Sequence, residues 1–262
     1  MKLPAILLAL LALLCAPGCG DGDSRDERIT VFAAASLTDA FGEVAEAFQA
    51  DSGVRVSFSF AGSPTLRTQL EQGARADLLA TADEPNIQSA LEAGVVRDRG
   101  AVFARNRLAI IVPGDNPGRI ATPADLARDG LKLVLAQENV PAGDYARESL
   151  GKMAADPAFG EGFDDRVLAN VVSEEANVKA IVTKVQLGEA DAGIVYATDV
   201  TPGISGDVTA VEIPDAYNIV AMYPIAVTAD AANLEGAETF VGFLLSSEGQ
   251  AILERHGFLR AP

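Results

Sequence analysis

Two serines stand where a hydroxyl group is well set to bind something. Ser36 follows the apolar run 29–35 and precedes Leu37, Phe41, Val44, Ala45 and Phe48, which recur at helical spacing, so it sits between a strand and a helix as an N-cap would. Ser63 is followed by Pro64, and proline at the start of a helix leaves the next backbone N–H groups pointing outward without an intrahelical acceptor. A single capping serine is a local structural device. Two of them, opening helices from strand ends of one sheet, predict a crevice where free N–H donors and the positive ends of helix dipoles face an anion.

Other chemistries find little support. His256 is the single histidine, in Glu254-Arg255-His256-Gly257, at a helix end where both His and Gly serve the dipole and the cap. No Gly-x-Ser-x-Gly elbow is present, so a secreted serine hydrolase using Ser36 or Ser63 is the alternative of another class and no enzyme is expected. One histidine, and no cysteine beyond Cys15 and Cys19, exclude the usual zinc sets; Asp164-Asp165 and Glu174-Glu175 read as solvated faces, so no directly coordinated metal cation is expected. Glycine-rich phosphate loops of the Walker or dinucleotide type are absent, and no cofactor is expected. Lys and Arg number 20 against 37 Asp and Glu, a net charge of −17, which leaves no basic stretch for nucleic acid.

The elements that would hold the serines alternate. Strand 29–35 and its helix are followed by strand 54–60, with Val54, Val56, Phe58 and Phe60 on one face and Arg55, Ser57 and Ser59 on the other. Next come a helix from Pro64, strand 76–80, helix 86–93 and strand 107–112, which Pro113-Gly114 stops. A second set comprises helix 123–129, strand 132–136, helices 142–153 and 177–187, and strands 192–196 and 208–213; strand 221–228 and helices 237–245 and 247–256 close the chain. This order implies an α/β architecture with mixed, mostly parallel sheets, and the length of 262 residues suits two lobes. Lobe I is expected to comprise 29–112 and 221–262, and lobe II 113–220. An internal echo supports two lobes of common design: Gly73 and Gly188 both stand where a helix would stop, with Ala76-Asp77 and Ala190-Asp191 ahead of the next strand.

Residues 1–18 have the form of an export signal: Met1-Lys2, the apolar run 6–14, then Ala16-Pro17-Gly18 before Cys19. The run is too short to span a bilayer, which needs about 20 residues. The segment resembles a bacterial lipoprotein signal, which implies cleavage before Cys19 and lipid on its thiol, although Ala16 stands where such signals usually carry Leu; ordinary secretion with cleavage nearby is the alternative. The exported body then has no disulfide, and losing Lys2 leaves 19 basic against 37 acidic side chains, a net −18. Residues 19–28, ending in the charged run Asp21 to Arg28, read as a flexible spacer. The expected location is outside the cytoplasm, periplasmic or at the cell surface, tethered through Cys19.

From residue 29 to 258 the chain resembles the periplasmic molybdate-binding proteins of ABC transporters, a branch of the two-lobed type II solute-binding fold. The resemblance is carried in order by Thr30-Val31-Phe32-Ala33-Ala34-Ala35-Ser36-Leu37-Thr38, Phe60-Ala61-Gly62-Ser63-Pro64-Thr65-Leu66, Ala76-Asp77-Leu78-Leu79-Ala80-Thr81-Ala82-Asp83, Val140-Pro141-Ala142-Gly143-Asp144-Tyr145-Ala146 and Gly193-Ile194-Val195-Tyr196-Ala197-Thr198-Asp199. It implies a monomer that binds molybdate or tungstate in an interlobe cleft and hands it to a membrane permease with its ATPase. It also implies that Ser36 and Ser63 donate from hydroxyl and backbone N–H, Ala142 and Val178 from backbone N–H, and Tyr196 from its phenol. Sulfate or another tetrahedral oxyanion is the alternative ligand. Pro141 and Gly143 suit a turn exposing N–H groups, and Asn177 suits a cap before Val178. Gly62 and Pro64 flank Ser63 where some members carry additional serines, which removes auxiliary donors.

Overall fold

The structure, a computed structural model, describes residues 28–262; the expected signal, Cys19 and the spacer up to residue 27 lie outside the described residues. In the first part of the chain β1 (Arg28–Ala34), β2 (Arg55–Ala61) and β3 (Leu78–Ala80) alternate with α1 (Thr38–Ser52), α2 (Ser63–Glu71) and α3 (Glu84–Glu92). A long strand, β4 (Ala101–Pro113), leads to β5 (Leu133–Ala136), α4 (Pro141–Ala154), α5 (Phe163–Ala169), β6 (Val171–Glu175), α6 (Val178–Gln186), β7 (Ala192–Tyr196) and β8 (Val208–Glu212). Strand β9 (Val220–Val227) returns to the first set, and α7 (Leu234–Leu245), α8 (Ser247–Arg255) and β10 (Leu259–Arg260) complete the chain.

The hydrogen-bonded order β2-β1-β3-β9-β4-β7-β5-β6 is symmetric about its middle, with β8 and β10 paired to β4 off this path. Both outer triplets contain parallel pairs, β1 with β2 and β3, and β5 with β6 and β7. The central β4 and β9 run antiparallel to their neighbours and tie the triplets together. Within β4, residues from Ala101 to Arg107 pair with β9, whereas Leu108 to Ile111 pair with β7 and Ala109 to Pro113 with β8. One strand therefore belongs to both halves.

The apolar periodicity explains how the helices sit. Ala40, Phe41, Val44 and Phe48 are the buried face of α1. From that face Phe41 and Phe48 meet Phe240 of α7 edge-on at centroid distances of 6.0 and 5.1 Å. In α6 the buried stripe is Val178, Ile181, Val182 and Val185. The expected helix over 123–129 is instead a 3-10 turn, Pro123–Ala127, and β4 starts at Ala101, earlier than the apolar run suggested. Neither α5 nor β6 was anticipated: Val171–Glu175 alternates between half-buried and exposed at the sheet edge, and its two glutamates mask the pattern.

The internal echo is present in the backbone. Gly73 and Gly188 adopt φ of 91° and 70°, a conformation that favours glycine, and their N–H groups bond to Leu70 and Val185 carbonyls. The following residues bond in the same way, Ala74 to Gln69 and Glu189 to Lys184. Asp77 Oδ2 then accepts the Thr30 N–H at 2.7 Å, and Asp191 Oδ2 accepts the Lys132 N–H at 2.8 Å. In each half the aspartate that enters the third strand pins the residue near the start of the first.

Candidate anion-binding site

The symmetry places equivalent strand-to-helix joints opposite one another. Ser36 lies in the 3-10 turn Ala35–Leu37 after β1, and Ala142 in the first turn of α4 after β5. Ser63 opens α2 after β2, and Val178 opens α6 after β6. Ala82 follows β3, and Tyr196 ends β7. All six line one cavity of about 20 Å³, where a water needs roughly 10–15 Å³. The structure thus brings the five residues singled out from the sequence, Ser36, Ser63, Ala142, Val178 and Tyr196, around one small cavity. No lining residue carries a charged side chain. The positive field comes instead from the N-termini of α2, α4 and α6.

Each joint has a local cause. In α4 the Gly143 and Asp144 N–H groups turn back to the Val140 carbonyl at 2.8 and 3.1 Å. A Cβ on Gly143 would lie 2.2 Å from the Gln137 carbonyl oxygen, so this turn needs glycine and the Ala142 N–H is held one residue before it. Asn177 caps α6 as its sequence position suggested, its Oδ1 accepting the Ala180 N–H at 3.1 Å. The openings of α2 and α6 touch: a Cβ on Gly62 would lie 2.2 Å from the Ala176 carbonyl oxygen, so the two halves are closed over the cavity.

The hydroxyls of the cavity have different partners within the protein. Ser63 Oγ accepts the Ala82 N–H at 3.1 Å, which leaves the serine proton for another partner. Ser36 Oγ lies 2.9 Å from the Tyr223 hydroxyl, a contact no sequence pattern announced. The Tyr196 hydroxyl is buried and makes no well-formed hydrogen bond. Burial and the nearby Tyr223 hold its phenol well above the usual tyrosine range, so it keeps its proton. A buried donor without an acceptor costs about 1–3 kcal/mol. Tyr196→Phe is therefore expected to leave the melting temperature unchanged or higher while weakening anion binding several-fold, which thermal melting and titration of the same preparation would measure.

Behind Tyr196 lies a charged group the sequence did not assign. Asp199 is fully buried, and its Oδ2 accepts the Tyr196 N–H at 3.1 Å. Burial pushes its carboxyl up to about 6, against the pull of the Lys179 ammonium 3.4 Å away. Lys179 also reaches Asp39 on α1 at 2.7 Å, so one side chain of α6 bridges the two halves. Its position one residue after Val178 was the only available signal.

The residues weighed for other chemistries have partners of their own. His256 Nε2 lies 2.8 Å from Glu43 Oε2, whereas Ser36 Oγ is hydrogen-bonded with the Tyr223 hydroxyl and Ser63 Oγ accepts the Ala82 N–H. Glu174 pairs with Arg147, and Glu175 with Lys184 and Ser173. Among the described residues no group of three or more His, Cys, Asp or Glu could hold a metal ion, and no helix is long and apolar enough to cross a membrane.

Residues 29–259 match the family described as bacterial extracellular solute-binding protein. The chain belongs to this family. It is 39% identical over 233 residues to the molybdate-binding protein ModA of Mycobacterium tuberculosis, covering 88% of this chain and 84% of that one. Among solved structures, the periplasmic molybdate-binding protein of Azotobacter vinelandii superposes with a TM-score of 0.77 at 18% identity, over 89% of this chain and 100% of that one. The sulfate-binding protein SubI of Mycobacterium tuberculosis gives 0.78 at 23% identity, over 88% and 86%. The solute-binding protein thus has the two-lobed α/β fold of the periplasmic binding proteins, with the cavity described above between its halves.

Proposed function

We propose that this solute-binding protein captures molybdate, and tungstate by the same chemistry, between Ser36, Ser63, Ala142, Val178 and Tyr196, and delivers it to the permease and ATPase of an ABC importer. It acts as a carrier and not as a catalyst. The observation that supports this reading is the wiring of the cavity: Ser63 already accepts a bond from the protein, the protonated Tyr196 phenol makes no well-formed hydrogen bond, and no carboxylate lines the space. A site of donors alone favours an oxyanion that carries no proton. Hydrogen phosphate would bury its O–H without an acceptor, at a cost of about 1–3 kcal/mol, and sulfate escapes that cost but is too small for a ring of donors set for molybdate.

Calorimetric titration with molybdate, tungstate, sulfate and phosphate tests the proposal. Molybdate and tungstate should bind, sulfate should compete only in large excess, phosphate should not compete, and affinity should be nearly flat between about pH 6.5 and 8.5, because no side chain lining the cavity changes charge there. Strong phosphate competition would contradict a donor-only cavity; sulfate binding tighter than molybdate would make the protein a sulfate carrier.

The lobes are read as 29–112 with 221–262, and 113–220, with the first boundary moved back within β4, since the exchange of partners at Arg107 and Leu108 supports a hinge there, facing the return of the chain at Val220. Cys19 is read as the lipid attachment that keeps the monomer at the outer face of the membrane. Cys19→Ala should move the protein from the membrane fraction to the soluble one with molybdate binding unchanged. Unaltered fractionation would remove the anchor.

A further inference from the structure

Ser36 serves an oxyanion only if its one proton points into the cavity, and the serine itself does not decide this. Ser36 Oγ and the Tyr223 hydroxyl are 2.9 Å apart and both buried, so one of them donates and the other keeps its proton for a different partner. The direction of that bond is set one residue further on. Asn106 Oδ1 accepts the Arg107 N–H at 2.9 Å, which fixes which end of the amide is oxygen. Asn106 Nδ2 therefore faces Thr198 Oγ1 at 2.8 Å and the Tyr223 hydroxyl at 3.4 Å. An amide N–H only donates, so Asn106 occupies one acceptor site of the Tyr223 oxygen, which favours the arrangement in which Tyr223 sends its own proton to Ser36.

We propose that Tyr223 is a positioning residue of the anion site: it donates to Ser36 Oγ and so keeps the Ser36 O–H directed at the ligand. This rests on the reading of the cavity as an oxyanion site. The phenol is well placed for the task. Its ring is fully buried, held edge-on by Phe103, Phe258 and Tyr196 at centroid distances of 6.3, 5.5 and 5.6 Å. Burial keeps its proton in place, far above the usual tyrosine range. Ser63 shows the same arrangement with a backbone donor, the Ala82 N–H, which cannot reverse. The two serines are thus oriented by two different devices, one from the main chain and one from a three-residue side-chain relay.

Tyr223→Phe removes the hydroxyl and keeps the ring, and the test is its effect in two backgrounds. With Ser36 present, molybdate affinity should fall about tenfold, the worth of one orienting hydrogen bond. In a Ser36→Ala background the same substitution should change affinity no further, because there is no proton left to orient. A merely structural tyrosine would weaken both backgrounds alike, so an equal loss in both, or no loss with Ser36 present, overturns the proposal. The unsubstituted protein in the same series separates the two readings: if it fails to bind molybdate, the cavity assignment falls and this role with it; if it binds and the losses are equal, only the role of Tyr223 falls.

Discussion

Ser36→Ala and Ser63→Ala are each expected to weaken molybdate binding by about 10- to 150-fold while leaving the protein folded. Each removes one charge-assisted donor to a buried dianion, an interaction worth about 1.5–3 kcal/mol. The serines also accept hydrogen bonds, so their loss has a second, smaller effect on stability. Ser63→Ala orphans the Ala82 N–H, which is fixed in the main chain, whereas Ser36→Ala leaves a Tyr223 hydroxyl that can turn about its C–O bond. The Ser63 variant should therefore show the larger drop in melting temperature, by the few degrees that about 1 kcal/mol represents in a chain of this size. Calorimetric titration beside thermal melting separates the two effects. Two variants that bind like the parent would move the ligand out of this cavity altogether.

Lowering the pH from about 7.5 to about 5 is expected to stabilise the protein, against the usual expectation for an acid-sensitive fold. Burial pushes Asp83 up to about 6, with Asn86 hydrogen bonds opposing and the Asp144 charge adding to the rise. Asp199 is likewise pushed up to about 6 by burial, against Lys179. A carboxyl whose folded value lies above its unfolded value of about 3.9 binds more protons in the native state between those limits, so stability falls as pH rises through that window. Above it each group costs of order 3 kcal/mol. The lowered carboxyls, Glu43, Asp125, Asp156 and Glu175, act in the opposite sense, and only below about pH 5.5, where they begin to protonate in the unfolded chain. The optimum should lie near pH 5. Asp83→Asn, whose amide oxygen can still accept the Asn86 N–H, should remove about half of the slope. A melting temperature that is flat or falling over this range would contradict the two buried carboxyls as the controlling groups.

How far the sequence carried depended on the distance over which each feature is decided. The joints at Ser36 and Ser63 were legible because an apolar strand, a serine and a helical stripe follow one another within about a dozen residues, but neither serine caps its helix as expected: Ser36 sits inside the 3-10 turn ahead of α1, and Ser63 is the first residue of α2, after Gly62. The cap at Asn177 and the glycine stops at Gly73 and Gly188 were legible for the same reason. Ala142, Val178 and Tyr196 were assigned by resemblance; a backbone N–H leaves no mark in residue type. The first half of β4, before Arg107, was missed because Arg105 and Asn106 read as polar surface, yet Asn106 is buried and bonds to Thr198 and Tyr223. The Ser36–Tyr223 contact joins residues 187 positions apart, and no local pattern reports such a pairing.

Lys179 lies one residue past the cavity and joins α6 to Asp39 of α1. On the proposed reading, the donors inside choose the anion, and this clasp outside is expected to set part of how long it stays. Such a partly exposed pair is worth at most about 1 kcal/mol, or a factor of about five in dwell time. Retention and choice are thereby separated: rising ionic strength should shorten the residence of molybdate and leave its preference over sulfate where it was. A carrier built in this way can have its release tuned at the surface, by a single charge on α1, without any change to what it recognises.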